Sequence, residues 1–230
     1  MKDFKDLEKL IGIKLKNQKL LDQAFMHRSY LNECDGDCQS NERMEFLGDA
    51  VLELISSEYL YKNHPEQTEG EMTNFRSALV QGKNLALVAR ELDLGRYLYL
   101  SHGEENSGGR EKNYILANTV EALIGAIFLD QGLESSKKFI DTFIINRLDE
   151  IIENKLHIDS KTRFQELVQE KLDVTPTYEV LKESGPDHNK EFEAGAFIDG
   201  KLVAKGKGSS KQSAEEKAAQ ASLIKKGWTK

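Results

Sequence analysis

Three carboxylates, Glu42, Glu45 and Asp49, stand at i, i+3 and i+7 in the stretch Asn41–Leu54, NERMEFLGDAVLEL. On a helix this spacing stacks them within a narrow arc of one face. Like charges so placed repel by roughly a few tenths of a kcal/mol per pair, and a solvated helix interleaves lysine there. This stripe has none. Phe46, Leu47, Ala50, Val51, Leu54 and Ile55 sweep out the neighbouring apolar face. Acids beside a buried face suit a hard divalent cation, because Mg²⁺ takes oxygen ligands and only a few protein carboxylates. The competing reading is a solvated acidic face.

A second stretch, ILANTVEALIGAIFLD, completes the first. Asn118 and Glu121 share a face at i, i+3, opposite Leu116, Val120, Leu123 and Ile127. Glu121 adjoins the apolar run Ala122–Leu129, and a carboxylate beside such a run is costly unless paired or metal-bound. The chemistry these groups permit is metal-assisted hydrolysis, with a bound cation acidifying a water. No Ser–His or Cys–His pair suited to covalent catalysis lies near either stretch, and His27, His64 and His102 fall in separate turn-like segments as surface residues.

The elements that must hold these acids are helical. Residues 3–30 read as two amphipathic segments ending at MHRSY, and Asn32–Ser40 is a polar loop with Ser40 or Asn41 as N-cap of the acidic helix. That helix runs to about Lys62, where NHPEQTEG breaks it. Glu71–Leu92 reads as one long helix, LGRYLYLSHGEENSGGREK as a mobile surface loop, and Tyr114–Gln131 and Glu134–Asn154 as two more helices. Gly108-Gly109-Arg110 has no G-K-[ST] and no preceding strand, which excludes a phosphate loop.

After a linker near residues 153–159 the pattern changes. Ser160–Leu172 is a short helix with Phe164, Leu167, Val168 and Leu172 inward, and then the period switches to two. Thr177–Glu183, the alternating Phe192-Ala194-Ala196-Ile198 and Lys201–Gly206 are strands, the last two joined by an Asp199-Gly200 type I′ turn. An alanine-rich helix, Ser209–Lys226, closes the chain. The expected architecture is multidomain: an all-α domain over residues 1–154, then a small α+β domain of order α-β-β-β-α over residues 159–230.

Composition agrees with a globular, well-solvated chain. Net charge is −7, yet residues 1–155 carry 19 Lys and Arg against 27 Asp and Glu, while Gly200–Lys230 carries eight lysines against two glutamates. An acidic body with a basic end points to nucleic-acid contact. The charged N-terminal stretch has no signal-peptide pattern and no apolar run spans a bilayer, so a cytoplasmic location without membrane contact is expected. Cys34 and Cys38, with no further Cys or His nearby in sequence, read as reduced loop thiols. Asp35, Asp37 and the acidic helix do not have the order of a twelve-residue calcium loop.

NERMEFLGDAVLEL resembles the signature of the ribonuclease III family, and ILANTVEALIGAIFLD resembles its second metal-binding helix. TPTYEVLKESGPDHNKEF and GKGSSKQSAEEKAAQASL are similar to the double-stranded-RNA-binding domain that accompanies it. The resemblance implies Mg²⁺ as cofactor, with Mn²⁺ as a substitute, and Glu45, Asp49 and Glu121 as direct ligands. Glu42 would be a supporting acid, Glu69 a further acid near the site, and Phe46 a residue of a homodimer interface. It implies duplex RNA as substrate, 5′-phosphate and 3′-hydroxyl ends with two-nucleotide 3′ overhangs, and processing of ribosomal precursors and messenger RNA. In the tail it implies RNA contacts from Gln165 and Glu166, from the loop with Pro186 and His188, and from Lys211, with Lys217 further along. Asn118 departs from the pattern, because the family usually has Asp there. An amide oxygen can coordinate a cation without bringing charge, so metal binding is expected to weaken. The rival reading is a non-catalytic double-stranded-RNA-binding regulator that lost cleavage through Asn118.

Overall fold

The computed structural model describes residues 2–36, 38–153, 160–186 and 190–228. The chain divides into two compact units, Met1–Glu153 and Asn154–Lys230. In the first unit the described regular elements are helical: α1 Lys5–Ile11, α2 Gln18–Ala24, α3 Glu42–Asn63, α4 Glu69–Val80, α5 Gly82–Glu91, α6 His102–Asn106, α7 Asn113–Gln131, α8 Leu133–Phe143 and α9 Leu148–Glu153. Short 3₁₀ turns lie between several of them, and a single isolated bridge joins Met26 to Tyr99.

Helix α7 is the axis of this unit. Every residue from Ala122 to Ile127 is buried, and a helix apolar on all sides must be surrounded. It packs against α2, α3, α5 and α8. The tightest of these contacts is the crossing with α3. A Cβ on Gly48 would stand 1.8 Å from the Glu121 carbonyl oxygen, and one on Gly125 would stand 2.3 Å from the Met44 carbonyl oxygen. Each helix therefore supplies a glycine where the other's backbone passes. Glycine inside a helix costs about 0.5–1 kcal/mol relative to alanine. Here it permits an approach no side chain would allow.

Local chemistry accounts for several elements that differ from the sequence expectation. Glu71–Leu92 is two helices, because Gln81 is extended at ψ 141° and buried Asn84 holds the break. The Asn84 amide donates to Leu79 O at 2.6 Å and its oxygen accepts from Arg147 Nε at 2.8 Å. Capping at α3 also differs. Asn41 occupies the N-cap position without a capping side chain; its amide donates to Ala24 O at 3.1 Å and ties α3 to α2. The segment 94–112 is built, with Leu94, Leu98 and Leu100 buried. The Arg110 guanidinium donates to Gly95 O at 2.8 Å and Leu98 O at 3.0 Å. Nor are Cys34 and Cys38 free thiols: they are joined as a disulfide.

In the second unit α10 Ser160–Leu172 precedes an antiparallel sheet of β1 Thr177–Ser184, β2 Glu191–Ile198 and β3 Lys201–Gly208, in that order, and α11 Lys211–Lys225 follows. This is the α-β-β-β-α order. The β2–β3 hairpin turns at Asp199 (φ 49°) and Gly200 (φ 69°), the two positive φ values a type I′ turn requires. Phe164 and Val168 of α10 and Ala218, Ala219 and Leu223 of α11 form one core with Ala196, Ile198 and Val203. Leu172, expected inward, is exposed. Gly206 and Gly208 let α11 lie close on β3, since a Cβ at Gly206 would stand 2.2 Å from Ala218 N.

The α3–α7 crossing makes a direct prediction. Gly48→Ala or Gly125→Ala is expected to lower the unfolding free energy by about 1–3 kcal/mol, the usual cost of overpacking a core. Urea denaturation followed by circular dichroism measures it. An unchanged transition in both variants would contradict the close approach.

Candidate active site and nucleic-acid interface

The α3–α7 crossing places the two acidic stretches side by side. Met44 and Gly48 face α7, so Glu45 and Asp49, one residue on from each, emerge at the edge of the contact. Glu121, whose carbonyl abuts Gly48, projects from α7 at the same edge, with Asn118 one turn earlier. The side chains sense one another. Burial pushes the Glu121 carboxyl up to about 8, with the negative charges of Asp49 and Glu45 adding to it. Glu45 is raised for the same leading reason, partial burial, and further by Glu42 and Asp49. Two groups oppose that rise: a hydrogen bond from the Asn118 side chain, and the positive charge of Arg28.

Glu42, Glu45, Asp49, Asn118 and Glu121 are thus one electrostatic group. Glu42 lies at its rim, exposed, accepting from Ser40 Oγ at 2.9 Å and pairing with Arg28 at 3.7 Å. Arg28 was not singled out in the sequence; its only signal there was a position in MHRSY, far from either acidic stretch. Glu69 is not brought into the group. It opens α4 and accepts from Thr73 in its own helix at 3.2 Å. His27 is a local cap, its Nδ1 lying 2.9 Å from Ser29 Oγ, and partial burial lowers its pKa.

The donor set fits a hard cation, since all the groups that meet here offer oxygen and the charges acting on Glu121 are negative. Among the described residues no three His, Cys, Asp or Glu side chains already close around a point that could hold an ion. Phe46 adjoins the acids and is 81% exposed, the most exposed large apolar side chain among the described residues. With Leu54 (58%) and Tyr61 (75%) it marks an outward apolar stripe along α3.

In the second unit Gln165 and Glu166 are exposed on α10, and Pro186 is exposed just beyond β1. His188 lies outside the described residues. Lys211 opens α11 after the N-cap Ser210, whose hydroxyl accepts from Ser213 N at 3.1 Å. Its ammonium pairs with Glu183 at 3.2 Å and lies over the Phe192 ring at 5.9 Å. Lys217 is exposed on the same helix. No helix among the described residues is long and apolar enough to cross a membrane.

Comparison with known proteins identifies both units. Residues 17–148 match the family model described as ribonuclease-III-like, and residues 160–226 match the double-stranded RNA binding motif. The chain is similar to Ribonuclease 3 of Desulforamulus reducens, at 49% identity over 93% of this chain and 87% of that protein. It is also similar to Ribonuclease 3 of a Sulfurovum species, at 44% identity over 97% and 98%. Its fold matches the nuclease domain of ribonuclease III from Campylobacter jejuni, with a TM-score of 0.58, 39% identity, and 63% of this chain and 97% of that one covered. That structure concerns flexibility in a region involved in dimer formation.

The acid group has a measurable signature without RNA. Folded protein keeps the Glu121 proton up to about pH 8, whereas the unfolded chain releases it near the ordinary carboxylate value. Between those limits the folded state binds more protons, so stability falls as pH rises. Calorimetry of chelator-treated protein is expected to show a melting temperature declining from about pH 5 to about pH 8. Glu121→Gln should flatten the decline. A slope identical to the parent's would place Glu121 outside the group. With both acidic helices joined at one crossing and a double-stranded RNA binding motif after them, the chain belongs to the ribonuclease III family.

Proposed function

We propose that this protein is a Mg²⁺-dependent endoribonuclease that hydrolyses phosphodiester bonds of double-stranded RNA, leaving 5′-phosphate and 3′-hydroxyl ends. The observation that carries the reading is the close α3–α7 crossing at Gly48 and Gly125, which sets the helix bearing Glu45 and Asp49 beside Glu121. Residues 1–154 are the catalytic and dimerisation domain and residues 159–230 the RNA-binding domain.

Glu45, Asp49 and Glu121 would hold the metal, Asn118 would add an uncharged oxygen, and Glu42 would support from the rim. Mg²⁺, or Mn²⁺ in its place, supplies when bound the positive charge that acidifies water and offsets charge building on the phosphate. Glu121 must give up its proton for the site to take a cation, which couples metal affinity to pH. The Asn118 side chain favours the charged form of Glu45 and so partly offsets the burial of that carboxylate. Glu69 enters the scheme only as a further acid whose present partner is Thr73.

Duplex cleavage needs one centre per strand, and a two-fold homodimer supplies two. The exposed Phe46, beside the acids on a helix with Leu54 and Tyr61 also outward, supports a second copy covering that face. In the tail, Gln165 and Glu166 would meet one minor groove and the Pro186–His188 loop the next. Lys211 and Lys217 would then lie toward the phosphates between, as domains of this kind span about 16 base pairs. The Lys211–Glu183 pair is surface-exposed, so a phosphate competes for that lysine at small cost. Processing of ribosomal precursor and messenger RNA in the cytoplasm is the cellular role this activity fits.

Two experiments test the reading. Incubated with a labelled RNA hairpin and Mg²⁺, the protein is expected to cut both strands, and Asp49→Asn or Glu121→Gln to abolish cutting while the hairpin stays bound. Asn118→Asp should lower the Mg²⁺ concentration for half-maximal rate by about tenfold, the scale of changes at groups tuning a metal site. Stable, uncut complexes at every Mg²⁺ concentration would instead establish a non-catalytic RNA-binding regulator. Separately, Lys211→Ala and Lys217→Ala should weaken hairpin binding for all sequences alike, each reducing the slope of log affinity against log salt by about 1. Affinity unchanged in both variants would remove α11 from the interface.

A further inference from the structure

Both cysteines of the chain lie in the loop between the 3₁₀ turn Arg28–Asn32 and α3, and neither takes part in the site above. The loop folds back on itself. Cys38 N donates to Gly36 O at 3.1 Å, and Gly36 has φ 109°, a conformation that favours glycine. This return brings Cys34 and Cys38 together as a disulfide with Cα atoms 6.4 Å apart, a separation such bonds span. Both residues are half-buried, so their sulfurs lie within reach of a small molecule.

The ends of the loop are tied down independently. At one end the Glu33 carboxylate accepts from His102 N at 3.1 Å and lies 2.8 Å from its Nδ1. At the other, Gln23 Nε2 donates to Ser40 O at 3.3 Å, and buried Asn41 donates from its backbone to Met26 O at 2.9 Å and from its side chain to Ala24 O at 3.1 Å. Among the described residues between these ends, the covalent closure is the cysteine pair. The loop leads straight into Glu42 and Glu45.

We propose that Cys34 and Cys38 form a reversible oxidation site, a dithiol–disulfide pair that clamps the loop leading into α3. The co-reactant is a low-molecular-weight disulfide. The Cys34 thiolate attacks one of its sulfurs, forming a mixed disulfide and expelling one thiolate; the Cys38 thiolate then attacks Cys34 Sγ and expels the second. Two electrons pass from the cysteines to the small disulfide, which leaves as two thiols carrying the two protons the cysteines lose. Excess small thiol runs the same steps backwards. Closing a ring between two anchored ends removes conformational freedom from the open loop, so the oxidised form holds the start of α3 more firmly.

The test uses the full chain equilibrated with oxidised or with reduced glutathione, and no readout depends on RNA cleavage. Alkylation and peptide mass spectrometry should find an intramolecular Cys34–Cys38 link in the oxidised sample, reversed by reduced glutathione. Hydrogen exchange over residues 38–45 should be several-fold slower in the oxidised protein, and its melting temperature a few degrees higher. The Cys34→Ser/Cys38→Ser double variant should show neither difference between the two buffers. Persistent glutathione adducts on both cysteines, equal exchange in the two forms, or zinc retained stoichiometrically by the reduced protein would each overturn the proposal.

Discussion

The first unit depends on the contact between Gly48 and Gly125, where two helix backbones pass with no side chain between them. Everything that gives the acids a common environment follows from that approach. Helix α7 is wrapped in apolar neighbours, so a carboxylate leaving its surface is partly desolvated wherever it emerges. Glu121 emerges where α3 carries Glu45 and Asp49. The cost of that placement is visible in a carboxyl raised to about 8. A glycine pair is helically unfavourable, yet only hydrogen fits between the Glu121 carbonyl and α3. The fold accepts a weaker helix in return for a charged seam.

Charge is arranged differently in the second unit. Three of its lysines pair with acids of the sheet: Lys205 with Glu193 at 3.0 Å, Lys207 with Glu191 at 3.6 Å and Lys211 with Glu183 at 3.2 Å. Exposed pairs of this kind contribute about 0–1 kcal/mol. At that strength they do not commit the lysines. The α3–α7 crossing gathers like charge at one edge, whereas these sheet pairs join opposite charges that an outside anion can separate.

Much of this was legible in the sequence where periodicity and turn chemistry speak directly. The Glu42–Glu45–Asp49 stripe, the Asp199-Gly200 hairpin and the alternation from Phe192 to Ile198 are local signals, and the structure has each of them. What the sequence did not disclose was set by long-range contacts. The break at Gln81 depends on Asn84 reaching back to Leu79 while Arg147 holds it from another element. Asn41 looked like a cap, yet its amide finds Ala24. The glycine-rich segment 94–112 looked loose because its anchor, Arg110 on the carbonyls of Gly95 and Leu98, is a tertiary bond. Arg28 reaches Glu42 only because the chain folds back between them. Gly48 and Gly125 were plain in the sequence as helix-weakening residues, but their meaning lies in each other.

Because α3 and α7 are far apart along the chain, their crossing is a long-range contact, and no fragment containing one helix holds the acid set. The site therefore exists only in the native topology. A cation that bound these acids would favour the folded chain over the unfolded one and would act as a folding ligand. Ambient divalent concentration would then tune how long the folded chain survives, whatever its effect on turnover.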